Sequence, residues 1–208
     1  MAKNKVICIG RQYGSDGRAI GKAVAEKLGI PYYDKELMEE AIKDTDLPKD
    51  ILRKVDEKVP NSLFFEVFYE GKEKKYYGMN ASEIVHAMQE KLILKKAQES
   101  SCVIIGRCAD QILSDANEFP VDVLSIFICA PMEDRIKRVV KRESLDGKTA
   151  SDLIRKTDKK RKNYYNYYTG KDWGKPSDYD VCINSSSRSR EGTVNMICDL
   201  YEHIQEHQ

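Results

Sequence analysis

The chain has 208 residues, 41% hydrophobic and 33% charged, which is the content of an ordinary soluble protein and suits one α/β domain with an insertion or two. A balance of 35 Lys and Arg against 34 Asp and Glu leaves a formal net charge of +1, which excludes a global drive toward nucleic acid or a membrane surface. No apolar run approaches the ~20 residues of a spanning helix and the N-terminus lacks an apolar signal core, so the expected location is the cytoplasm, without membrane attachment.

In chain order, KVICIG (5–10) reads as a buried strand, because it is β-branched, short and closed by Gly. RAIGKAVAEKLG (18–29) places Ile20, Val24 and Leu28 on one helical face and ends at Gly29, a natural C-terminal cap. IPYYD (30–34) is a short extended piece, and KELMEEAIKD after it reads as a helix. The stretch 46–80 breaks the alternation and is expected to be an insertion packed over the site. The helix ASEIVHAMQEKLILKKAQESS then leads into SCVIIG (101–106), and VLSIFICA (123–130) is the next strand. EDRIKRVVKRE (133–143) is a helix, DYDVCIN (178–184) a final strand, and REGTVNMICDLYEHIQ a closing amphipathic helix. Strands that are apolar throughout and joined through helices imply a parallel sheet covered on both faces. Ligands then bind beyond the carboxyl ends of the strands, which lines up GRQYGSDGR, YYD, GRCAD and APMEDR along one edge.

The six cysteines show no paired short spacing, and four of them (Cys8, Cys102, Cys129, Cys182) lie in or beside apolar runs. Buried free thiols are therefore expected rather than a disulfide or metal framework. The three histidines have no ligand spacing, and His203 and His207 read as surface.

GRQYGSDGRAIG (10–21) joins the first strand to the first helix, which puts backbone N–H groups and a positive helix end around one point. Against the P-loop pattern, Gln12 takes the first glycine position, Arg18 the lysine position and Ala19 the position of the Mg²⁺-binding hydroxyl. Two readings stand on the loop alone: a tight structural turn, or a phosphate cradle made by Gln12, Tyr13, Gly14, Ser15, Asp16, Gly17, Arg18 and Ala19. Arg keeps the charge of Lys but presents a planar fork, and the metal would need Ser15 or a water in place of the missing hydroxyl.

The runs IGRQYGSDGRAIGKAVAEKLGIPYYD, IIGRCAD, IFICAPMEDRIKRVVKRE and KTDKKRKNYYNYYTGKDWGKPSDYDVCINSS, in that order, resemble the cytidylate kinase-like family of P-loop nucleoside monophosphate kinases. The resemblance is to a variant branch with Arg in place of the usual Lys, and it is poorest over 46–80. It implies a three-layer P-loop kinase fold in a single domain spanning 1–208, with an acceptor-side helical insertion at about 46–98 and a lid at about 143–176. It also implies transfer of the ATP γ-phosphoryl group to a nucleoside monophosphate, CMP or dCMP first, with Mg²⁺; the alternatives are a kinase for another small-molecule acceptor on the same fold, or a nucleotide-binding regulatory protein without turnover. The partners would be small nucleotides, with no nucleic acid and no membrane.

Residue by residue, Arg107 stands where the family's G-R-D-x-G motif has the arginine that holds the acceptor monophosphate, although Cys108 replaces the Asp. Asp34 stands where related kinases have an acid near acceptor and metal; as an N-cap for the helix after it, it has an equally good structural reading. The candidate catalytic set is Arg18, Arg107, Arg135 and Arg161, with Arg11 adding charge at the loop. Arg135, in the first turn of its helix, opposes the helix dipole and so points to function, while Arg138 and Arg142 on the same face read equally well as solvated surface. Candidate metal ligands are Ser15 and, through a water, Asp34. The basic, tyrosine-rich stretch 155–176 favours a lid over a solvated helix or a nucleic-acid contact, since no RNA-binding module accompanies it.

Overall fold

The structure is a computed structural model that describes residues 3–34, 78–116 and 121–204. Its strands are β1 (Lys5–Arg11), β2 (Tyr32–Tyr33), β3 (Cys102–Ile105), β4 (Asp122–Cys129) and β5 (Val181–Asn184). They form one parallel sheet in the order β2-β3-β1-β4-β5. Helices α1 (Gly17–Leu28), α2 (Ala81–Glu99), α3 (Ala109–Asp115), α4 (Met132–Glu143), α5 (Gly147–Thr169) and α6 (Arg190–Glu202) complete the described elements. None of them is long and apolar enough to cross a membrane. The expected helix at 35–44 and the 46–77 part of the insertion lie outside the described residues.

β1 is the central strand, and its side chains alternate between two layers. Ile7 and Ile9 meet Ile20 and Val24 of α1 and Val194 and Ile197 of α6. Val6 and Cys8 meet Ile93 of α2, Ile112 and Leu113 of α3, and Tyr164 and Tyr165 of α5. Each of the fully buried isoleucines contributes roughly 1.5–3 kcal/mol by leaving water, which is why the strands need no polar alternation. α1 closes at Gly29, whose left-handed backbone lets its N–H reach Ala25 and Glu26. α2 opens on a capping box between Asn80 and Glu83.

Two expectations change at the sheet edge. Of the four cysteines placed in apolar runs, Cys8 and Cys102 are buried, Cys129 is half-buried and Cys182 is exposed. β5 is an edge strand, so only its inward residue Ile183 is covered and Cys182 faces out. The final strand is also shorter than DYDVCIN, because Pro176–Asp178 forms a 3₁₀ turn and the Asp180 carboxylate accepts from the N–H and hydroxyl of Ser125. The tyrosine-rich segment belongs to α5, a single 23-residue helix, and Tyr164 and Tyr165 are core.

His86 of α2 is held in this aromatic layer. Its ring stacks on Tyr168 at 3.7 Å and meets the Tyr164 ring edge-on at 5.7 Å. The Tyr164 hydroxyl donates to Gln89 Oε1, so His86 Nδ1, 2.8 Å away, carries the proton and donates to the phenol oxygen. Burial pushes the imidazole down from 6.5 to about 4. The unfolded chain therefore takes up a proton below pH 6.5 that the folded chain refuses until about pH 4. Stability is full above pH 6.5 and is expected to fall by up to about 3 kcal/mol as pH drops through that window. Urea melts at stepped pH should show this slope, and His86→Gln should remove it.

Candidate active site: a phosphate loop and an aspartate between two arginines

Residues 12–16 join β1 to α1 beyond the carboxyl edge of the sheet, between β3 and β4. Gln12 anchors the turn at both ends: its N–H donates to Ile128 O and its side-chain Oε1 accepts from Ala130 N. Gly14 has φ +79, and a Cβ there would come within 3.0 Å of Arg135 O and of Val139 on α4, so only glycine allows this approach. Asp16 caps α1 in a left-handed conformation without a side-chain bond to the helix. Its carboxylate instead accepts from Arg190 at 2.6 and 2.7 Å.

Across the loop, Arg18 leaves the first turn of α1 and its Nε lies 2.5 Å from Asp34 Oδ2. Arg107 approaches the same carboxylate from below, Nη1 to Oδ1 at 3.6 Å. Asp34 and Arg107 are buried, whereas the Arg18 side chain is 56% exposed. One aspartate at the end of β2 is thus shared by the arginine in the lysine position and the arginine after β3. Gly106, Arg107 and Cys108 all have left-handed backbones, a tight corner that turns the Arg107 side chain in under the loop.

The loop's other flank is tied to α4 and α5. Asp158 Oδ1 accepts from Tyr13 N at 2.7 Å, and its Oδ2 pairs with the buried Arg135 at 2.5 Å. Arg161 donates to Arg11 O at 3.1 Å. Arg138 donates to Gly14 O, Ser185 Oγ and Ser186 Oγ, and Ser185 Oγ in turn donates to Ser15 O. Arg142 is the solvated member of its helix face: it is exposed, pairs with Glu143 and lies 4.9 Å over the Tyr13 ring.

The structure therefore brings Gln12, Tyr13, Gly14, Asp16, Gly17, Arg18 and Ala19 to the wall of one cavity of about 630 Å³, together with Asp34, Lys22 and Arg161. Arg107 is joined to that cavity through Asp34, and Arg135 through Asp158 and Tyr13 O. Ser15 is not brought there: it is wholly buried, and its hydroxyl has no hydrogen-bond partner among the described residues. Sequence reasoning missed Asp158 and left Arg138 undecided. The missed signal is the spacing of Ile154, Asp158, Arg161 and Tyr165, at i, i+4, i+7 and i+11, which is one inward stripe of a helix. Along α5 the lysines 156, 159, 160 and 162 are all exposed while that stripe turns in.

Among the described residues no group of three or more His, Cys, Asp or Glu is arranged to hold a metal. The described carboxylates on the cavity wall are Asp16, Asp34 and Glu143.

A parallel sheet in this order, with a glycine-turned loop leading from its central strand into a helix, is the P-loop kinase fold. A shikimate kinase from Bacteroides thetaiotaomicron superposes with TM-score 0.53 at 15% identity, over 97% of this chain and 99% of that one. A gluconokinase from Sinorhizobium meliloti does so with TM-score 0.55 at 13% identity, over 97% and 94%. Within that fold the cytidylate kinase-like family model matches residues 6–187, and the chain belongs to that family. A cytidylate kinase from Pyrococcus horikoshii is 33% identical over 112 residues, 53% of this chain and 55% of that protein. The chain spans about half the length of the curated relatives it matches. An uncharacterised protein from Eubacterium ventriosum has TM-score 0.71 at 32% identity, over 95% of this chain and 98% of that one.

Proposed function

We propose that the protein is a phosphotransferase that moves the γ-phosphoryl group of ATP to a nucleoside monophosphate, with CMP or dCMP as the first acceptor. The observation that carries this reading is the convergence of Arg18 and Arg107 on Asp34 at the floor of the cavity beside the loop. Phosphoryl transfer needs little covalent help from a protein; it needs cations around the moving group, alignment and exclusion of water. Here the loop's backbone N–H groups and the start of α1 would receive the ATP phosphates. Arg18 would follow the charge onto the transferring group, releasing Asp34. Arg107, fixed by its left-handed corner, would hold the acceptor's phosphate, which is already anionic and requires no general base.

Arg161 and the rest of α5 would close the donor side, with the lid at about 143–176 taking the form of a helix whose inner stripe is core. When bound with ATP, Mg²⁺ would supply charge neutralisation on the phosphates, a role that asks the protein for only one or two carboxylates. Asp34 and Asp16 on the cavity wall fit that modest demand and would hold the ion's water shell, the place Ala19 cannot fill.

A coupled ATP-consumption assay over a panel of monophosphates tests the reading. Turnover highest with CMP or dCMP is the expected outcome. Turnover with a different small acceptor alone would reassign the substrate, and none with any acceptor, despite ATP binding, would leave a nucleotide-binding regulatory protein.

A further inference from the structure

Among the described residues, two cavities meet at the end of β1 where the loop begins, and they share two lining residues. The outer one, about 630 Å³, is walled by the loop and by Asp34. The inner one, about 20 Å³, lies beneath the end of β1 against Gly106, Arg107, Cys108 and Asp110. The residues common to both walls are Arg11 and Arg161. A hole that small admits roughly one oxygen-sized group, since about 10–15 Å³ is the least that holds a water.

Arg11 is placed there by its neighbours. A Cβ on Gly106 would overlap Arg11 Nη1 and stand 3.1 Å from its Cζ, so the guanidinium lies against the bare face of that glycine. Gly106 itself is fixed by φ +71 and by its N–H on Ile9 O. The Arg11 carbonyl accepts from Arg161 Nη1 at 3.1 Å, which couples the two border residues. With Arg107 this places three arginines on the wall of one oxygen-sized cavity. The carboxyl on the same wall, Asp110, is engaged by the Tyr165 hydroxyl, which donates to it at 2.7 Å, and burial raises its pKa. Such a wall is matched by an anionic oxygen, and a phosphate oxygen accepts readily from several guanidinium N–H groups.

We propose that Arg11 is a phosphate-binding residue at the border of the two halves of the site, directing one oxygen of the bound phosphates into the inner cavity with Arg107 and Arg161. The proposal deepens the phosphotransferase reading and rests on it for the assignment of donor and acceptor sides. It gives the residue before the loop a duty that the P-loop pattern leaves unassigned.

The test uses the full chain and inorganic tripolyphosphate, a probe that needs no turnover. Titration calorimetry is run on wild type, Arg11→Gln, Arg11→Met and Arg11→Lys, with thermal melts on each. The expected result is a loss of affinity of about 10- to 100-fold in whichever neutral variants melt like wild type, partly recovered in Arg11→Lys. In turnover the same variants should raise the ATP KM by a comparable factor. A well-folded neutral variant that binds tripolyphosphate within about threefold of wild type overturns the proposal, as does wild type that binds none. Wild type that binds tripolyphosphate but phosphorylates no acceptor would remove the kinase reading while leaving the role of Arg11 standing.

Discussion

Arg18→Ala is expected to lower kcat/KM about 10³-fold while leaving the fold intact. Arginines that neutralise a transferring phosphoryl group in this reaction class are worth 10³–10⁵ in rate, and Arg18 occupies the place of the only side-chain cation in the standard loop. The loss should appear mainly in kcat, because the charge is needed most when the phosphoryl group is in flight. Stability should hardly move. The Arg18 side chain is 56% exposed, and Asp34 keeps its pairing with the buried Arg107 when Arg18 is removed. Arg18→Lys separates two explanations: an ammonium restores the point charge of the usual loop, but it cannot present the planar fork that now meets Asp34. Near-normal turnover in the alanine variant would show that the backbone cradle suffices alone. Steady-state kinetics with a thermal melt on each variant reads both quantities.

Much of this arrangement is written in local sequence. KVICI, SCVII and VLSIFIC are continuous apolar runs because parallel strands at the centre of a covered sheet have no wet face. The loop and the arginine after β3 are legible because each follows such a run directly. Asp34 was legible as an acid at a strand end, but its two readings, cap and ligand, depend on long-range partners that no spacing reveals. Its pairing with Arg18 and Arg107 joins elements 16 and 73 residues away.

The cysteines show the opposite failure. A short apolar run does not say whether its strand is central or at the edge, so Cys182 was expected inside and stands outside. α5 hid its meaning behind composition. Its many lysines suggested a solvated or closing segment, while the four residues that matter share an inward stripe with apolar neighbours. Ser15 was a reasonable substitute for the missing hydroxyl by type and position, and yet the turn at Gly14 carries it into the protein rather than toward the cavity.

The largest loss of stability is expected at Asp158, a lone acid in a basic run. Asp158→Ala removes the partner of Arg135, whose side chain is 8% exposed, and also frees the Tyr13 N–H. Breaking a buried ion pair by deleting one member costs about 3–5 kcal/mol, because the charge left behind has neither partner nor water. Asp158 is 16% exposed, which allows some water to reach the orphaned guanidinium, so about 3 kcal/mol is the expected destabilisation. Asp158→Asn should cost less than Ala, since its amide oxygen still accepts from Tyr13 while the charge on Arg135 goes unmatched.

The decisive comparison is the double variant Asp158→Ala with Arg135→Met. Removing both charges and keeping the volume of the arginine stem should recover most of the loss, giving a coupling energy of about 2 kcal/mol in a double-mutant cycle. Urea denaturation with an unchanged m-value reads it. An alanine variant within about 0.5 kcal/mol of wild type would show that the contact is incidental, and α5 would then be held beside the loop by the Arg161 bond to Arg11 O and by the packing of Tyr13 on the Ile154 cluster. If the pair carries the energy expected, the same carboxylate that steadies the fold also fixes where the phosphate loop begins. Tyr13 N and Tyr13 O are both bound by this pair, so the first turn of the cradle is set from α4 and α5 as well as by its own Gln12 and Gly14.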